Sequence, residues 1–163
     1  MKVTPMNINK SKGFTIVEVL VAMIILSIGV LGLGVMQLTS LQNTQSGQMT
    51  SQASILAYDI IDSMRANGPS VTAGNYGIAL ATATPDAVNC YGAEADCTGA
   101  QMATSDVNHW RAALGNSLPS GNGGIATTDL GGSTLATVTI TWVDPYTAAN
   151  GNEQIVLTAE LSQ

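Results

Sequence analysis

Residues 19 to 36 form an eighteen-residue run without a charge, apolar throughout except for Ser27 and the glycines. That length and composition suffice for a membrane-spanning helix. Just before it stands one carboxylate, Glu18, and five residues before that a glycine, Gly13. A carboxylate in such a segment costs up to a few kcal/mol and marks a functional position by default; its simplest alternative role is an interfacial residue at the membrane boundary. The flank before Gly13 holds Lys2, Lys10 and Lys12 and no acid, so it stays cytoplasmic and the rest of the chain faces outward. An ordinary secretory signal has a shorter apolar core closed by a small-x-small cleavage site, and neither feature is present.

The pattern Lys-Gly-Phe-Thr-Ile-Val-Glu, residues 12 to 18, beside this apolar run resembles the type IV pilin and pseudopilin family. The resemblance implies that a prepilin peptidase cuts between Gly13 and Phe14 and methylates the new amino terminus on Phe14. Glu18 becomes the fifth mature residue, the position that in this family pairs with a terminal amine during assembly. A buried carboxylate is tolerated when a cation neutralises it, so the chemistry agrees with the motif. The resemblance divides the chain into a cleaved leader (1–13), a transmembrane and assembly helix (14–37), an amphipathic continuation (38–67) and a periplasmic globular head (68–163).

No proline occurs between Pro5 and Pro69, and Asn67-Gly68-Pro69 is the next strong stop. One helix is therefore expected from Phe14 to Ala66, about 80 Å long. Met49, Ala53, Leu56, Ile60 and Met64 recur at helical spacing and predict a stripe that packs under the head, with Asp59, Asp62 and Arg65 opposite. Gly29, Gly32 and Gly34 each weaken a helix by about 1 kcal/mol relative to alanine. They form no G-x-x-x-G, so a dimer face is not indicated, and Val35 stands where many family members carry proline. These glycines are candidates for local loosening when the helix leaves lipid for a filament; packing relief is the other reading.

Beyond Gly13 the chain carries eleven acids against two arginines. It has no basic patch to neutralise phosphates, which excludes electrostatic nucleic-acid binding. Cys90 and Cys97 are the only cysteines. In an exported domain such a pair predicts a disulfide; a metal pair is the alternative, but the spacing is wide and the lone His109 does not complete a ligand set. No nucleophile–base pair, phosphate loop or metal cluster appears, so neither catalysis nor a cofactor is expected.

In the head, residues 68 to 99 read as a loop rich in Gly, Pro, Ala and Thr. Residues 100 to 118 read as a helix on Ala103, Val107, Trp110, Leu114 and Leu118, with Trp110 a core anchor and His109 exposed or capping. A turn at residues 121 to 124 precedes a weak strand at 125 to 129. A second turn at 131 to 133 precedes the strongest strand, 135 to 143, in which Val138, Ile140 and Trp142 oppose Thr137, Thr139 and Thr141. After a turn at 150 to 152, a last strand runs from 153 to 161. The expected fold class is α+β and pilin-like: a long amino-terminal helix packed on a small antiparallel sheet, with one extra short helix.

Within the family, residues 18 to 38 are similar to the PilV-type minor pilins, the type IV pilus modification group. The paired cysteines before a Trp-centred helix, the Leu-Pro-Ser-Gly at 118 to 121 and the strand Thr-Val-Thr-Ile-Thr-Trp at 137 to 142, with Asp144 after it, agree; Pro145 departs from the pattern. This resemblance implies a subunit that primes type IV pilus assembly and sits at or near the tip. The partners it implies are other minor pilins, the major pilin, prepilin peptidase, the inner-membrane assembly platform and, before assembly, membrane lipid. An I-type pseudopilin of type II secretion, or a tethered periplasmic binding domain that never polymerises, are the alternatives.

Overall fold

The computed structural model describes residues 13–86, 88–92, 96–147 and 151–162. The expected leader, apart from Gly13, and Asn150 of the expected last turn lie outside them. The chain divides into two compact units, one ending at Leu41 and one from Gln42 to Gln163.

A single helix, α1 (Ile16–Ala66), runs through the boundary between them. Its serine and threonine hydroxyls return to the carbonyl four residues back: Ser27 to Met23 at 2.7 Å, Thr39 to Val35 at 3.1 Å and Ser54 to Thr50 at 2.9 Å. These polar side chains therefore satisfy their donors without leaving the helix. In the first unit the apolar side chains of α1 are exposed. In the second, Ala53, Leu56, Ala57, Ile60, Ile61 and Met64 are buried, and Met49 packs against the same cluster. The buried stripe is wider than the sequence expectation by Ala57 and Ile61. Arg65 pairs with Asp62 at 2.6 Å on the exposed side.

Past Asn67 the chain turns directly into a five-residue helix, α2 (Gly68–Thr72), where only loop was expected. Pro69 sits in its first turn, where the missing N–H costs nothing. Among the described residues the head thus carries two additional helices where one was expected. The second, α3 (Gly99–Ser117), begins at a capping box: the Thr98 hydroxyl accepts from the Gln101 amide at 3.3 Å, and the Gln101 side chain accepts from the Thr98 amide at 2.9 Å. Thr-x-x-Gln is a start signal legible in the sequence. A Cβ on Gly99 would lie 2.6 Å from the Ser70 hydroxyl, so α3 approaches α2 more closely than a side chain permits.

Three strands, β1 (Asn122–Asp129), β2 (Ser133–Val143) and β3 (Asn152–Ser162), form an antiparallel sheet in the order β1-β2-β3. Ile125 lies opposite Val138, and Val138 opposite Leu157. The inner face of β2 (Ala136, Val138, Ile140 and Trp142) is fully buried in one core with α1, α3, Val71, Tyr76 and Ile78. β1 starts three residues earlier than expected, inside the glycine-rich segment read as a turn. The cause is packing. A Cβ on Gly123 would fall 2.2 Å from the Trp110 ring, so the strand passes beneath the indole only because glycine stands there. The outer edge of β1 is closed at one point, where Ile78 and Ile125 exchange backbone hydrogen bonds of 2.9 and 2.8 Å.

Candidate functional site

Gly13, Phe14 and Thr15 precede the helix and are exposed, Phe14 to 82 %. The Glu18 amide donates to the Thr15 carbonyl at 3.1 Å, which sets the carboxylate in the first turn of α1, where the helix dipole favours an anion. From Ile16 to Leu41 every residue is exposed, with Ile, Leu, Val and Met side chains on all sides. A helix that is apolar all round and exposed along this length needs an apolar solvent or partner. It is long and apolar enough to cross a membrane. Gly29, Gly32 and Gly34 lie inside this helix without interrupting it, and a Cβ at any of them would meet nothing within 4 Å.

The head's polar interior was not legible in the sequence. Asp106, buried on α3, receives the Tyr76 hydroxyl on one oxygen at 2.5 Å and the Tyr91 hydroxyl on the other at 2.7 Å. Burial first, then the hydrogen bond to Asp106, raises both phenols: Tyr76 well above the ordinary tyrosine value, and Tyr91 up to about 12. The Asn67 amide donates to the Tyr76 oxygen at 3.3 Å and to the Gly99 carbonyl at 2.8 Å, so one network ties the end of α1 to the start of α3. Tyr91 lies inside the ring closed by the Cys90–Cys97 disulfide, whose Cα atoms are 5.9 Å apart. His109 is exposed and meets the Tyr91 ring edge-on at 4.5 Å.

Arg111 is the second hidden anchor. Only 7 % exposed, its guanidinium donates to the carbonyls of Gly123 (2.9 and 2.7 Å), Thr82 (2.6 Å) and Ala79 (2.7 Å). Burial lowers its pKa from the ordinary arginine value. Arginine's fixed fork of donors suits this task, and it pins the segment after α2 against β1. Trp110 is a core anchor as expected, its indole donating to the Leu56 carbonyl at 2.9 Å. Among the described residues, no group of His, Cys, Asp and Glu is arranged to hold a metal.

Residues 8–34 match the family described as the prokaryotic N-terminal methylation motif, and residues 35–108 match the type IV pilin Tt1218 family. The two matches adjoin and together carry the chain from before the apolar helix into α3. The chain belongs to the type IV pilin family. Its fold agrees: a long amino-terminal helix on a small three-stranded antiparallel sheet. As a pilin it is a structural subunit and not an enzyme, one that works with other pilins in a pilus and carries the motif that prepilin peptidase processes. The sheet lies beyond the matched residues. No curated protein and no solved structure matches the chain.

Proposed function

We propose that this pilin is a minor subunit of the PilV type, which helps prime type IV pilus assembly and is incorporated at or near the pilus tip. Prepilin peptidase cuts between Gly13 and Phe14 and methylates Phe14, and residues 14–37 then hold the subunit in the bacterial inner membrane with the head in the periplasm. On assembly the helix leaves lipid for the filament. Glu18 then pairs with a terminal amine, and the glycines at 29, 32 and 34 give the helix room to loosen. The partners are the major pilin, the other minor pilins and the inner-membrane assembly platform.

The observation that carries this reading is the uncovered apolar helix with a single carboxylate at the fifth position after Gly13. In lipid that carboxylate is unpaired near the interface; in a filament a neighbouring amine neutralises it, so pairing drives register as well as stability. The disulfide supports an oxidising compartment for the head.

Deleting the gene and counting surface pili tests the proposal. Loss of pili, restored by the wild-type gene but reduced on the order of tenfold with Glu18→Ala, is the expected result. Normal piliation in both strains would contradict it. Intact pili with failed exoprotein secretion would assign the chain to the type II secretion pseudopilins instead.

A further inference from the structure

The two edges of the sheet differ. β1 is met at its outer edge by the Ile78–Ile125 bridge. β3 has eleven residues, all paired with β2 on one side, and among the described residues no backbone group bonds to its other side. Alternate residues of an edge strand direct their N–H and C=O groups outward, a template for a further strand. A strand of this length is usually guarded, and β3 carries two charges only: Glu153 near its start and Glu160 near its end, with Gln-Ile-Val-Leu-Thr-Ala between them. Glu153 is half-buried on the core side; Glu160 is exposed on the other and accepts from the Ser133 hydroxyl at 2.5 Å.

These charges decide between occupants. A second copy has no basic residue on β3 to set beside either glutamate, and the subunit is acidic overall, so its own edge is a poor partner. A strand with a basic residue at each end and a neutral middle complements both. Glu153 and Glu160 are seven apart and so lie on opposite faces. Two basic residues seven apart on an extended partner alternate in the same way.

We propose that the outer edge of β3 receives an extended segment of a different protein, which adds a fourth strand and places Lys or Arg beside Glu153 and Glu160. Backbone hydrogen bonds supply the affinity and the two ends supply the selection. That the partner is another component of the pilus tip rests on the proposed function; the edge and its charge preference do not.

The test uses the full-length protein in detergent micelles and three synthetic peptides. The first is Lys-Thr-Val-Thr-Val-Thr-Val-Lys; the second replaces both lysines by glutamate; the third keeps the lysines but has alternate backbone amides N-methylated on the donor edge. Binding is followed by titration, and its location by amide hydrogen exchange. The expected result is tightest binding of the first peptide, about tenfold weaker binding of the second, none of the third, and slowed exchange in residues 152 to 162 but not in 122 to 129. The paired substitution Glu153→Lys and Glu160→Lys reverses the order of the first two. Equal binding of the lysine and glutamate peptides, binding of the N-methylated one, or protection elsewhere overturns the proposal. Failure of processing at Gly13 would leave this result unaffected, so the two readings fail separately.

Discussion

Asp106 and its two phenols show how single residues hold this head together. The carboxylate is an acceptor only, and each of its oxygens accepts from a tyrosine hydroxyl, the Tyr76 bond being the buried one. The phenols are held protonated, which fixes the sign of a pH effect. A raised folded-state pKa means that the unfolded chain loses its tyrosine protons first as pH rises. The stabilisation is therefore complete below about pH 10, the ordinary tyrosine value, and declines from there as pH climbs through about 12, where Tyr91 titrates. Denaturation midpoints across pH 8 to 12 check this: stability falls above pH 10, and Tyr91→Phe makes the fall shallower. None of this was legible in the sequence. Tyr76, Tyr91 and Asp106 are thirty and fifteen residues apart and follow no period, and only the three-dimensional path of an irregular segment brings them together. Arg111 is the same kind of case, an arginine that looks like surface charge and is instead spent on backbone carbonyls. Trp110 was legible because an indole at helical spacing with Val107 and Leu114 has only one apolar face to join.

Elements are legible in the sequence where periodicity is strong. The long helix, α3 and the three-stranded meander follow from periods of 3.6 and 2, and from stops at Pro69 and Pro119. The start of β1 did not, because glycines signal a turn in isolation and a close approach in context; Trp110 resolves Gly123 in favour of the second. The segment after α1 gave no period, since α2 is too short to show one and the rest is pinned by side chains from elsewhere. The Cys90–Cys97 disulfide closes a small loop there and constrains the unfolded chain accordingly. Replacing both cysteines by serine is expected to cost about 2.5 kcal/mol on the loop-entropy estimate, measured by urea denaturation of the full-length protein in micelles. A loss near zero would mean that the hydrogen-bond network alone orders this segment.

For the whole molecule, function follows from where it can go. The described apolar stretch of the helix is exposed, which suits lipid or other helices; the head offers packing, a staple and an open sheet edge. The proposed assembly site is a reading of the sequence, because Gly13, Phe14 and Glu18 belong to a local motif whose meaning depends on order and spacing alone. The direct neighbour is not legible there, because a contact surface is written in exposed residues that no period constrains. Mass spectrometry of filaments sheared from the cell surface decides whether the subunit is processed and incorporated. This chain is expected there as a low-abundance component that begins at Phe14 and carries one added methyl group. Recovery only from the membrane fraction, still beginning at Met1, would contradict it.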